Sequence, residues 1–444
     1  MAETTRASKR ELFGWAMFDF ANSSYTTVII TVVFCIIFPK IIVGDGPEYR
    51  LGNLLWSVSL SISYLIVLLS VPFFGAIMDF TASKKKFLFA SYLVTVVATS
   101  ALYFAGPGDI ILGMILIVIS NVGFSYSESF VSSFLPGLGP PEDLGKISGY
   151  AWGLGYLGGL SSAAIVLFGL QAGIYTMDNF HNLRLVGPVT GLFFLIAAIP
   201  TFLWVKERTV ARRLPANENY FALGRKRLKK TLSDIRDYRD IMILLFSFFF
   251  ASSGLSIVIS FAFIYGDQVV KWSARTQILM FVLTQFTAAG GALLFGILQD
   301  KWKAKQTFIL TLLLWVIAVG MIYAVDDVTA FLNRLIRASF QTEHIYLAIG
   351  CLAGLGLGAT QSACRAMVGL FSPDTKAGEF FGLWGFTSRL AAMVGLAGLG
   401  LLQTLWGLQR AILLCCFFFL VALIIALLID EERGKMVARK HAGE

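Results

Sequence analysis

Apolar runs long enough to cross a bilayer follow one another along this whole chain. Each crossing needs about 20 residues of helix. The runs fall near 12–38, 53–78, 87–106, 110–135, 146–170 and 186–205, and then near 241–266, 275–298, 306–325, 345–371, 379–404 and 410–429. They predict an all-α integral membrane protein with twelve transmembrane helices. Charged residues make up 14% of the chain, against roughly 25% in soluble domains. No soluble domain of useful size remains. The first run is long and lacks a small-residue cleavage site, so it reads as helix 1 rather than a signal peptide.

One turn occurs twice. The first copy is GAIMDFTASKKK, Gly75 to Lys86, and the second is GILQDKWKAK, Gly296 to Lys305. In each, a Gly stands four residues before an Asp at the end of an apolar run, and a basic turn follows. Asp79 and Asp300 lie about half of the 444-residue chain apart. That spacing means two similar halves rather than a short-period solenoid. Glycine lets two helices approach closely. An Asp at a helix end can accept from the N-terminal N–H groups of a neighbouring helix. The plainer reading is two ordinary turns with a stray Asp each. The pattern resembles the inter-helix loop motif of the major facilitator superfamily, which joins helices 2 and 3 and recurs between helices 8 and 9. The second copy is the closer match, since Lys301 follows Asp300 at once where the first copy has Phe80. The resemblance implies gating roles for Gly75, Asp79, Gly296, Asp300 and Lys301. Asp79 would face the start of helix 11 near Glu379–Gly382, and Asp300 the start of helix 5 near Lys146–Gly149.

The expected organisation is a six-helix half over 1–205, a linker over 206–240, and a second half with a basic tail over 241–444. Most of the 36 lysines and arginines fall at the N-terminus, the even-to-odd turns, the linker and the C-terminus. The positive-inside rule therefore puts both termini and the linker in the cytoplasm. The same rule accounts for most of the net charge of +9, so no nucleic-acid partner is inferred. In the linker, Arg225, Lys226, Arg227, Lys229 and Lys230 accompany Phe221, Leu228, Leu232 and Ile235 at helical spacing. That suits a cationic amphipathic helix on an anionic leaflet, or else a solvated linker.

Chemistry of other kinds finds little support. The five cysteines lie inside apolar segments without metal-ligand spacing, and the vicinal Cys415 and Cys416 make a poor disulfide. Gly153, Gly155 and Gly158 fit a dinucleotide fingerprint by letters, but no strand precedes them. Gly155 and Gly159 read better as helix packing. Neither a phosphate loop, a metal cluster nor a nucleophile–base pair is found. No enzyme, cofactor or metal is expected.

Polar residues inside membrane helices are costly, so their positions inform. Trp15, Asp19, Asn22 and Thr26 in helix 1 fall at i, i+4, i+7 and i+11. Asn121, Ser125, Glu128 and Ser132 in helix 4 share that spacing, as do Gly354, Gly358, Gln361 and Arg365 in helix 10. Ser253, Ser256 and Ser260 make a shorter version in helix 7. Each set shares one helix face. Helices 1, 4, 7 and 10 are every third one, so three-helix repeats would gather them around a central cavity. Arg389 of helix 11 balances the charges: Asp19 and Glu128 in the first half, Arg365 and Arg389 in the second. These four, with Asn22 and Gln361, are the candidate substrate or proton site. Trp15, Phe18, Thr26, Asn121, Ser125, Ser253 and Ser256 are the expected cavity lining, with Trp15 and Phe18 as an aromatic wall. A bipolar cavity of this kind suits a zwitterion whose carboxylate meets an arginine. The alternative is that the charges pair with one another and hold the halves together.

Several stretches narrow the resemblance: GWAMFDFANSSYTTVI (14–29), SFLPGLGPPEDLGKISGYAWGLGYLGG (133–159), GALLFGILQDKWKAK (291–305), and QSACRAMVGLFSP with GEFFGLWGFTSR (361–389). They look like the vacuole-effluxer-like branch, whose fungal members are linked to autophagy and amino-acid export. Two sites depart from it. Ser125-Tyr126-Ser127-Glu128 stands where the branch commonly carries an aromatic pair and Asn. Ser252-Ser253-Gly254 stands where it often has Asn-Asp-Gly. The chain also lacks the long insertions of fungal members, which points to a bacterial inner membrane. The expected protein is a monomeric secondary transporter of a small solute, such as an amino acid, with proton coupling through Asp19 or Glu128, since burial raises a carboxyl pKa and a nearby Arg lowers it. A non-transporting sensor or scaffold on the same fold is the other function class.

Overall fold

The computed structural model describes residues 7–44, 50–173, 175–208 and 238–440. The expected amphipathic helix of the linker lies outside them. Twelve helices among the described residues are long and apolar enough to cross a membrane. They are α1 (Lys9–Val43), α2 (Leu51–Thr81), α3 (Lys84–Phe104), α4 (Ile110–Ser132), α5 (Pro141–Gly169) and α6 (Phe180–Trp204). The second set is α7 (Arg239–Val270), α8 (Arg275–Lys301), α9 (Ala304–Tyr323), α10 (Thr342–Phe371), α11 (Asp374–Gln403) and α12 (Leu408–Leu427). Their outer surfaces expose large apolar side chains such as Leu69, Ile111, Phe168 and Ile317. Those residues would be costly in water and belong against lipid tails.

Two helices lie outside the twelve expected runs. Val325–Ile336 is short and amphipathic, and Glu431–Lys440 follows α12 where only a tail was expected. Neither is apolar enough to register as a span. The first helix also runs past position 38. Beyond Ser24 it is wound mainly as π-type turns, reaching Val43 before a left-handed Gly44 ends it.

The first and last described residues lie on one face of the bundle, and there the two halves repeat the same brackets. Glu11 at the start of α1 accepts both guanidinium N–H groups of Arg208, at 2.8 and 2.7 Å, and the Lys206 backbone N–H. Asp240 at the start of α7 likewise accepts Arg433, at 2.6 and 2.8 Å, and the Asp430 backbone N–H. The backbone N–H of Lys84 at the start of α3 donates to Glu207, and that of Lys305 in the first turn of α9 to Glu431. Each bracket ties the first and third helices of a half to its sixth. The Asp430 carboxyl also accepts the Arg433 backbone N–H, which holds its pKa below the ordinary value.

The halves meet mainly through α5 against α8 and α2 against α11. Glycines make both crossings. A methyl at Gly149 or Gly75 would run into the Ala292 or Gly378 carbonyl oxygen opposite. Gly382 reaches the backbone of Pro72 in the same way. The G-x-x-x-G pair of α5 serves another contact: Gly155 meets Asp19 and Ser23 of α1, and Gly159 meets Thr27.

Candidate functional site

At the face that carries the chain ends, each repeated Asp reaches across to the other half. Asp79 accepts the Glu379 backbone N–H of α11 at 3.0 Å. Asp300 accepts from Gly145 and Lys146 of α5, at 2.8 and 2.7 Å. These are the first free N–H groups of their helices, where the helix dipole favours a negative charge. The basic residues differ in use. Lys84 sits 3.6 Å from Asp79 and donates to the Ser133 carbonyl. Lys301 is exposed, and Lys305 reaches instead to the Leu427 carbonyl.

Deeper in the bundle the four charges form two pairs, and both cross between halves. Asp19 of α1 accepts Arg365 of α10 at 2.6 Å. Glu128 of α4 accepts Arg389 of α11 at 2.7 Å. The surroundings of the pairs are unlike. Arg365 also donates twice to Ser148 of α5, at 3.1 Å to the hydroxyl and 3.0 Å to the carbonyl. Its guanidinium lies 4.9 Å from the Trp15 ring and 5.1 Å from that of Trp152. Trp15 is itself fixed by donating to the Val131 carbonyl. The side chains of this pair are 2% and 12% exposed, whereas Arg389 and Glu128 are 17% and 27% exposed. Arg389 is flanked by Tyr64 at 5.5 Å and Phe124 at 5.9 Å. The Asp19–Arg365 pair is thus the more enclosed of the two.

The remaining expected residues divide. Gln361 accepts from the Tyr156 hydroxyl at 3.1 Å, another link between halves. Asn22 is buried and meets the Ser127 hydroxyl at 3.5 Å. Thr26 bonds back to the Ser23 carbonyl, and Ser256 is half-buried. Ser125 is buried with a hydroxyl that has no partner among the described residues.

Four expectations need correcting. Phe18 does not line a cavity. It is fully buried against Tyr92, Phe194 and Phe202 of α3 and α6. It neighbours Asp19 in sequence, and a helix turns about 100° per residue, so the two point apart. Asn121 is buried and donates to Ser63 of α2 inside the first half. Ser253 is buried, with its backbone against Gly395 and its hydroxyl on the Phe249 carbonyl. Gly354 and Gly358 face α8, where they admit Thr284 and Ala288.

Sequence reading missed Ser148, Trp152 and Tyr156, which supply the α5 wall. They fall at i, i+4 and i+8, the same signal that marked the other stripes. Tyr64 carries no such signal, because its helix is studded with unrelated serines.

This arrangement has relatives. A family model described as "Vacuole effluxer Atg22 like" matches residues 55–144 and 142–439. An uncharacterized MFS-type transporter of Bacillus subtilis (strain 168), YxiO, is 24% identical, covering 86% of this chain and 85% of its own. Autophagy-related protein 22 of Coccidioides immitis (strain RS) is 23% identical over 86% of this chain and 73% of its own. Among solved structures, an outward-facing bacterial homologue of the iron transporter ferroportin superposes with a TM-score of 0.68. It is 14% identical and covers 94% of this chain and 98% of that one. The proton:xylose symporter XylE gives 0.66 at 11% identity, covering 96% of both. At such identities the likeness concerns the fold.

Proposed function

Because this chain belongs to the vacuole effluxer Atg22-like family and is a membrane transporter of the major facilitator fold, we propose that it moves a small zwitterionic solute by alternating access. The observation that carries this reading is the unequal pair of cross-half ion pairs. The Asp19–Arg365 pair acts as an internal lock. Removing one member of such a buried pair strands the other charge. The Glu128–Arg389 pair is the solute site. Arg389 turns its planar fork from Glu128 to the solute carboxylate, and Glu128 takes up the solute ammonium or a proton. Tyr64 and Phe124 bound the site with aromatic faces that favour a cation. Gln361, one turn from Arg365, and Asn22, one turn from Asp19, complete the polar lining.

Asp79 and Asp300 serve as gates. Each contact joins opposite halves and is lost when their common face opens. We place that face, with both chain ends, in the cytoplasm of a bacterium, with the protein monomeric in the inner membrane. The half boundary falls in 206–240.

Flux into proteoliposomes, measured with an amino-acid panel with and without a pH gradient, tests the reading. Arg389→Gln should abolish solute binding while the protein keeps its melting temperature. Arg365→Gln should instead destabilise it, and Asp19→Asn should rescue that fold. A fully active Arg389→Gln, Glu128→Gln double variant would overturn the solute assignment. Flux indifferent to a pH gradient would remove the proton.

A further inference from the structure

The two halves differ in how each joins its third helix to its fourth. Residues 105–109 link α3 to α4, whereas 324–341 link α9 to α10. The longer link holds the helix Val325–Ile336. Because α9 starts beside Asp300 and crosses the bundle, this helix lies at the face opposite the Asp79 and Asp300 contacts. It is pinned there by polar contacts. The Thr342 hydroxyl donates to Asp326 at 3.1 Å, and Asn333 makes two hydrogen bonds with the Phe340 backbone, at 3.0 and 2.8 Å. A left-handed Arg337 ends the helix.

At 100° per residue, Val325, Val328, Thr329, Phe331, Leu332 and Leu335 share one face, and Asp326, Asp327, Ala330 and Arg334 the other. The protein covers only part of the apolar face. Val325 and Thr329 are buried, and Val328 and Leu332 pack on the core. Phe331, Leu335 and Ile336 stay 62%, 64% and 57% exposed, and Phe340 just beyond the helix is exposed as well. Such a flank is costly in water.

Its surroundings say what covers it. The flank continues a surface that already faces lipid: Leu310, Leu313 and Ile317 of α9 are exposed, and Ala324 alone separates α9 from the helix. The helix also starts at the level of exposed aromatic rings. Tyr323 is exposed and its carbonyl accepts from Gln409 of α12, while Trp406, three residues before Gln409, is exposed too. Exposed Tyr and Trp mark the boundary between lipid tails and water. Arg334 and Arg337 stand exposed beside the flank, where long basic side chains reach head-group phosphates.

We propose that Val325–Ile336 rests in the membrane interface, with Phe331, Leu335 and Ile336 among the lipid tails of that leaflet and Arg334 and Arg337 at its phosphates. Amphipathic helices with a basic edge bind membranes in this way. The surface is distinct from the solute site and holds whether or not the chain transports.

The test uses the full chain in nanodiscs of phosphatidylcholine and phosphatidylglycerol, with a spin label on Leu335→Cys or on Ala330→Cys. The signal of the native chain, treated alike, is subtracted to remove its own five cysteines. Both positions are exposed, so neither change disturbs packing, and they stand about 140° apart around the helix. Relaxation by oxygen, which concentrates among lipid tails, is compared with relaxation by a water-soluble nickel chelate. The ratio should favour oxygen several-fold more at Leu335 than at Ala330. A signal dominated by nickel at both positions would put the flank in water and overturn the proposal. Shielding of Leu335 from both reagents would place another protein, or a second copy of this chain, on the flank and overturn it equally.

Discussion

The two cross-half aspartate contacts share one sequence pattern and are built differently. At Asp79 the carboxylate is dry: its side chain is 0% exposed and Lys84, at 6%, stands against it. At Asp300 the carboxylate is half-buried and meets the N-terminal turn of α5. The first contact adds a buried charge pair to a helix cap, and the second is a cap alone. The basic turn explains the divergence. In the first copy Lys84 folds back under Asp79, whereas in the second Ala304 takes the corresponding place at the helix start and Lys305 leaves for α12. An identical spacing of Gly and Asp therefore carries two different energies. A buried charge is expensive to strand, and a cap is not.

The sharpest way to break this comparison is to neutralise each aspartate. Asp79→Asn breaks the buried pair with Lys84, which should cost about 3–5 kcal/mol. Thermal unfolding in detergent would read it, and adding Lys84→Met should recover most of the loss. A loss below that of Asp300→Asn would refute the distinction between the two contacts.

The glycine crossings should respond next. Gly75→Ala forces a methyl against the Gly378 carbonyl oxygen, and Gly296→Ala places one 2.6 Å from that of Gly145. Overpacking of this kind costs roughly 1–3 kcal/mol, and both should part the halves at the face carrying the chain ends. Labelling of an introduced cysteine at that face should accelerate in each variant; unchanged labelling means the crossings do not move.

Asp300→Asn is milder. It should cost about 0.5–2 kcal/mol, the worth of a helix cap, and shift labelling several-fold without lowering expression. Lys301→Gln should do least. Its side chain is exposed, so a change within about 0.5 kcal/mol is expected. A larger effect would show that the basic residue following Asp300 shares in the contact between halves after all.

Much of this architecture was legible beforehand. Twelve spans follow from apolar length alone, since a helix must be about 20 residues long to cross hydrocarbon. The repeated turn marked two halves, and both aspartates could be assigned an opposite helix start because a cap requires free N–H groups. The stripes correctly isolated Asp19, Glu128 and Arg365 as charges inside the bundle, because nothing else keeps a charge at that depth.

Helical periodicity says which residues share a face, but not what stands across from it. That is why Phe18 was grouped with Asp19 and belongs instead with Phe194, and why Asn121 turned out to serve Ser63. Four charges of balanced sign allow more than one pairing. Only the packing of α1 and α5 against α10, and of α4 against α11, selected Asp19 for Arg365 and Glu128 for Arg389. The same packing set Arg365 between two tryptophans and left the second pair more exposed. Desolvation depends on every neighbour within a few ångströms, drawn here from helices far apart in the chain, so it is a property the tertiary structure alone could decide.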